Sequence, residues 1–239
     1  MNDRFNGLVL AISEYREKDL LAHVLTKEYG RFSLVFKGAN QVNSKRAFAL
    51  NLCNEIEFFI DYQEGKNMYQ VKSCSLIHSR HLLYQELNVL NSVQVMNEIA
   101  LKLDDSDQVF DELNYIYMHI DAKNVWVFLS LFLVCALNKL GITPYVDGCV
   151  VCDESKIATI SIEDGGFICQ ECLEEKGHYT QNQLRKFRFS NKANLTHYQN
   201  IVDTIDYDLK DVEILMEFLQ YHSGLHIKSY ALLESLNAL

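Results

Sequence analysis

Two Cys-x-x-Cys pairs, Cys149 with Cys152 and Cys169 with Cys172, stand sixteen residues apart and constrain this chain more than any other feature. A two-residue gap lets both thiolates of a tight turn face one ion, and two such turns complete the tetrahedral four-sulfur site that Zn2+ prefers. Residues 147–175 are therefore expected to form a zinc module with one ion per chain. All four positions are filled by sulfur, which leaves no open position for water or substrate, so the metal is expected to be structural. His178 offers a Cys3His alternative that four thiolates make unnecessary. Asp147-Gly148 and Gly165-Gly166 flank the pairs and are expected to supply positive-φ turns. The other cysteines, Cys53, Cys74 and Cys135, are scattered and form no disulfide framework, as in a reducing compartment.

At 239 residues and 49% hydrophobic content the chain can bury substantial cores. Its longest apolar run, from Val125 to Leu137, is interrupted by Ser130 and too short to cross a bilayer, and no signal-like segment opens the sequence. The expectation is a soluble, cytoplasmic protein. A net charge of −10 opposes binding to a polyanion, but the charge is unevenly spread. Residues 1–75 hold ten Lys+Arg against nine Asp+Glu, a balance of +1; residues 76–239 hold twelve against twenty-three, a balance of −11. A second basic run, Arg185, Lys186, Arg188 and Lys192, carries Phe187 and Phe189 within it.

The hydrophobic period divides the chain. Phe5–Ile12, Leu20–Thr26 and Phe32–Phe36 read as short strands, the alternation Ile56, Phe58, Ile60, Tyr62 as a half-buried fourth, and Met68–Ser73 as a fifth. Five short strands joined by turns predict a small barrel over residues 1–78, of the oligonucleotide-binding (OB) type. From Leu83 the apolar residues recur at three and four: Leu87, Leu90, Val93, Met96, Ile99 and Leu103 form one helical stripe. Asp111–His119 predicts a second helix. Val125–Leu140, apolar nearly all round, predicts a third that is buried and stopped by Gly141 and Pro144. Trp126, Phe128 and Phe132 are assigned to its core. Asp208 and Asp211 form a cap for a later helix ended by Gly224, and His222 and His226, on either side of that glycine, are not read as ligands. The fold class is thus α+β, a barrel followed by a mostly α-helical domain over residues 79–239 that contains the zinc module.

No phosphate loop, nucleophile elbow, HExxH pair or dinucleotide-binding glycine motif is present, so no enzymatic activity is expected. The acidic run Asp104-Asp105-Ser106-Asp107 falls between two predicted helices, where carboxylates serve as caps and solvation rather than as a nuclease site. The excess negative charge beyond residue 76 supports one further reading, an acidic protein-interaction adaptor with little DNA binding of its own.

Gly7-Leu8-Val9-Leu10, Tyr15-Arg16-Glu17-Lys18-Asp19, Leu25-Thr26-Lys27-Glu28-Tyr29-Gly30 and Lys37-Gly38-Ala39 together resemble the N-terminal barrel of the bacterial recombination mediator family RecO. The run Leu140-Gly141-Ile142-Thr143-Pro144, followed by the four cysteines and Gly165-Gly166, is similar to that family's helical domain entering its zinc site. The resemblance implies a DNA repair and recombination protein that binds single- and double-stranded DNA without sequence preference and anneals complementary strands. It also implies contact with single-strand-binding protein and joint action with RecR to load RecA. DNA contacts are then expected at Lys37, Lys45 and Arg46, with Arg16, Lys18, Lys27 and Arg31 in support and Arg185, Lys186, Arg188 and Lys192 as a second surface. Asn40 and Gln41 stand where relatives often carry basic residues, which thins the patch. The protein is expected in the cytoplasm, associated with the nucleoid.

Overall fold

The computed structural model describes residues 3–41, 49–103, 107–173, 179–193 and 205–237. By packing, the chain forms two compact units, Met1–Ala122 with Ser229–Leu239, and Lys123–Lys228.

The first unit is built on a curled sheet of β1 (Asp3–Tyr15), β2 (Asp19–Thr26), β3 (Gly30–Phe36), β4 (Glu55–Ile60), β5 (Met68–Gln70) and β6 (Ser73–His78), in the order β5-β3-β2-β1-β4-β6. The long β1 serves two neighbours, pairing with β4 through Asp3 to Leu8 and with β2 from Leu8 to Tyr15. Where it passes from one to the other, a Cβ on Gly7 would lie 2.3 Å from Val24 Cγ1 and 2.9 Å from the Leu25 carbonyl oxygen, so the crossing admits no side chain. The two outer strands are consecutive pieces of one stretch. β5 runs parallel to β3 and β6 antiparallel to β4; at the switch the Val71 N–H donates to Val35 O (3.0 Å) and the Lys72 N–H to Phe59 O (2.9 Å). The predicted fifth strand is therefore longer than its alternation indicated and broken at Val71-Lys72, where it changes partner and curls the sheet back on itself into an OB-like barrel.

Alternation fills the interior as expected: Ile56, Phe58 and Ile60 are buried while Glu55, Glu57 and Phe59 are less so. Phe5, Phe32, Phe58 and Tyr69 of the barrel core, with the partly buried Tyr62 and the exposed Tyr29 against them, form a ring cluster that meets mostly edge-on at 5.0–6.1 Å.

After a 3-10 turn at His81–Tyr84 come α1 (Leu87–Ala100) and α2 (Asp107–His119). The buried face of α1 comprises Val89, Val93, Val95, Met96 and Ile99, whereas Leu87 is 65% exposed. Leu87 falls outside the expected stripe because the helix begins at that residue and the turn before it holds Leu83 separately. The C-terminal helix α6 (Lys228–Asn237) returns to this unit, where Ser229 donates through both N–H and hydroxyl to Glu98 of α1.

In the second unit α3 (Val125–Lys139) is the central helix, with Phe128 and Phe132 fully buried and Trp126 half-buried near Tyr207. Gly141, with φ 71°, ends it. α4 (Gln181–Lys192) starts at a capping box of Thr180 and Gln183, and α5 (Leu209–Ser223) at the expected box of Asp208 and Asp211; Gly224, in the left-handed conformation, closes α5. Between α3 and α4 lies a ribbon that helical patterning concealed, β7 (Ile157–Ser161) antiparallel to β8 (Gly166–Cys169). No described helix is long and apolar enough to cross a membrane.

Candidate functional site

The ribbon exists to hold the cysteines. Cys149 and Cys152 lie on a turn in which the Asp153 N–H donates to Cys149 O (2.8 Å) and the Cys149 N–H to Glu154 O (2.9 Å). Cys169 ends β8, and Cys172 follows on the next turn. The Val150 N–H donates to Phe167 O (2.7 Å), locking the first turn to the second strand. Of the flanking glycines only Gly165 has positive φ (88°); in the first turn it is Asp153 that adopts φ 61°. Gly148 and Gly166 are required for a different reason, close approach, since a Cβ on Gly166 would stand 2.3 Å from Tyr145 O and one on Gly148 2.8 Å from the Asp153 carboxylate.

The four Sγ atoms lie within 4.8 Å of one another, with Cys152 and Cys169 3.6 Å apart. A regular tetrahedron with Zn–S bonds of about 2.3 Å has edges of about 3.8 Å, so the cluster has the size and donor set of a single tetrahedral ion. Burial opposes ionisation of Cys149, but hydrogen bonds from the backbone of Cys169, Cys152 and Val151 outweigh it and lower the thiol to about 6. Cys172 is pushed far up by hydrogen bonds with Cys152 and Cys169 and by burial. These residues can hold a metal ion. His178 lies outside the described residues.

The basic residues singled out by the sequence sort into three groups. Arg16 and Lys18 on the β1–β2 turn and Lys37 after β3 are exposed and share one rim of the barrel, because the Asn40 N–H donates to Lys18 O (3.0 Å) and the Gly38 N–H to Asp19 Oδ1 (2.9 Å). Arg16 takes φ 59° and lays its guanidinium over Tyr15 at 5.2 Å. Lys45 and Arg46 lie outside the described residues.

Lys27 and Arg31 stand at the other end of the β2–β3 hairpin and point at helices. Lys27 Nζ donates to both carboxylate oxygens of Asp111 on α2 (2.8 and 2.7 Å), and Arg31 donates to the Leu101 carbonyl at the end of α1. They fasten barrel to helices within the first unit.

The third group is on α4. Arg185, Arg188 and Lys192 are exposed, but Lys186 is buried, its ammonium 2.7 Å from Asp211 Oδ2 and 5.5 Å from the Tyr207 ring centre. The expectation of a phosphate contact at Lys186 is corrected: on a helix, the residue after Arg185 turns about 100° away, here into the core. Asp147, two residues before the first cysteine, accepts Lys192 (2.7 Å) and faces Arg188 (3.8 Å). Lys156, which sequence reading missed among acidic neighbours, joins Arg185 and Arg188 along a groove of about 780 Å3. His222 is no ligand; its Nε2 meets the Ile162 carbonyl at 2.6 Å.

An OB-like barrel joined to helices and a four-cysteine cluster defines the architectural class. Family comparison then specifies it: the model of the Recombination protein O N terminal domain matches residues 1–80 and that of the C terminal domain residues 84–231. The chain belongs to the RecO family, and with it to DNA repair and recombination. Proteins called DNA repair protein RecO from Halalkalibacterium halodurans and Exiguobacterium sibiricum are 23% and 24% identical, covering 100% and 99% of this chain and 97% and 98% of their own. That of Latilactobacillus sakei is 27% identical over 94% of this chain and 86% of its own. Among solved structures, the Stn1–Ten1 complex of S. pombe aligns with 41% of this chain and 76% of its own at 15% identity and a TM-score of 0.27.

Proposed function

We propose that the chain is a non-enzymatic recombination mediator. It binds single- and double-stranded DNA without sequence preference, anneals complementary strands and, with RecR, helps load RecA onto DNA coated by single-strand-binding protein. Residues 1–78 act as the DNA-binding barrel and residues 79–239 as the helical domain that carries one structural Zn2+ on Cys149, Cys152, Cys169 and Cys172. The observation that carries this reading, beyond family membership, is the barrel rim on which Arg16, Lys18 and Lys37 converge through two hydrogen-bonded loops. A row of exposed cations there replaces counterions on phosphates and needs no base contacts. Arg185, Arg188 and Lys192 form a second track on α4, and two tracks let one chain hold two strands.

An acidic adaptor is the competing reading. It gains support from the engagement of Lys27, Arg31 and Lys186 in the fold, which leaves fewer cations for phosphate than the sequence advertises. Polarisation titrations with a labelled single strand at several salt concentrations separate the two. Each of Arg16→Ala, Lys18→Ala and Lys37→Ala should flatten the log–log salt slope by about one. Slopes that do not move in any of the three would favour the adaptor.

A further inference from the structure

The groove beside α4 has two walls of different origin. Leu184, Arg185 and Arg188 belong to α4; Lys156, Ile157 and Phe167 belong to the cysteine ribbon. Among the described residues no carboxylate lines it, and the one acid beside it, Asp147, meets Arg188 and Lys192 through exposed ion pairs that a phosphate can displace. Arg185, Arg188 and Lys192 fall at i, i+3 and i+7, neighbours about 5–6 Å apart along one helix face. Such a row matches an extended phosphodiester chain better than a compact anion, and guanidinium groups favour phosphate geometry.

Every ribbon element of the groove is tied to a cysteine turn. Ile157 pairs with Cys169, the Phe167 carbonyl receives the Val150 N–H between the first two cysteines, and Lys156 is held by its N–H on the Glu154 carboxylate (3.0 Å), two residues past Cys152. On the opposite side Asp147 grips Lys192 and Arg188 from just ahead of Cys149. A two-stranded ribbon is marginal by itself, and binding energy at a four-thiolate site is folding energy.

We propose that the four-cysteine cluster gates this groove as a phosphodiester-binding site. With metal bound, ribbon and helix present Lys156, Arg185 and Arg188 together; without it the ribbon wall that carries Lys156 is lost and the groove no longer holds the phosphodiester chain, while the barrel rim continues to bind. The inference rests on the nucleic-acid reading above and adds a metal dependence confined to one of its two surfaces.

The test uses the full chain, loaded with Zn2+ or stripped by chelation, and reads the salt slope for a labelled single strand. Arg185→Ala/Arg188→Ala should lower the slope of the loaded protein by about two, stripping should lower the wild-type slope by about three because Lys156 is lost as well, and the double substitution should change nothing further in the stripped protein. Lys37→Ala should lower the slope by about one in both forms, reporting an intact barrel. A stripped wild type that keeps its slope and still responds to the double substitution overturns the gate but not the groove. A loaded double variant with unchanged slope overturns the groove itself, the result expected if it takes an acidic peptide. Loss of the Lys37 effect on stripping also overturns the proposal, because the metal dependence would then not be confined to the groove.

Discussion

Lys186 and Asp211 are both below a tenth exposed as side chains, so the contact between them is a buried ion pair. Asp211 is already employed at the start of α5, accepting the Asp208 N–H, and burial pushes its carboxyl up even against the hydrogen bond from Lys186. Removing one member of a buried pair strands the other, which costs about 3–5 kcal/mol. Lys186→Ala should therefore destabilise the second unit by that amount in urea, whereas Lys186→Met with Asp211→Asn should recover most of it. The sign of the pH effect follows from the raised carboxyl. An orphaned Asp211 binds its proton more tightly folded than unfolded, so the loss in Lys186→Ala is full at neutral pH and should shrink as pH falls through that raised value. A loss that grows toward acid would refute the pairing. By contrast Lys27→Ala removes an exposed bridge worth about 0–1 kcal/mol and should leave the salt slope for DNA where it is.

Among the secondary-structure elements, β1 depends on one position. Gly7→Ala drives a methyl into Val24 and the Leu25 carbonyl, overpacking that costs about 1–3 kcal/mol. Equilibrium denaturation should register it, and a variant as stable as wild type would mean the crossing is looser than its distances. The strands and helices were legible in the chain wherever one period governed: alternation marked Ile56, Phe58 and Ile60, and a continuous apolar run marked α3. The ribbon β7–β8 was not, since its strands have five and four residues, too few to display a period, and β8 is buried along its whole length instead of alternating. The cysteines were legible from spacing alone. Lys186 was misread because a basic run shows charge but not helical phase, and Lys156 was passed over because only folding brings it beside Arg185 and Arg188.

For the molecule as a whole, the two units can be followed separately, because Trp126, the chain's single tryptophan, lies on α3 of the second. Chelation should shift the Trp126 emission and lower the melting temperature of that unit; full retention of both would contradict a structural metal. The units are also nested. The chain leaves the first at Ala122, builds the second through Lys228, and then returns to lay α6 beside α1, where Asn237 Nδ2 donates to Asn88 Oδ1 (3.1 Å). During synthesis the barrel strands leave the ribosome more than a hundred residues before the helix that completes their unit. The first unit is thus begun first and finished last, and a ribosome paused within the second would leave α1 waiting with an uncovered flank for a partner not yet made.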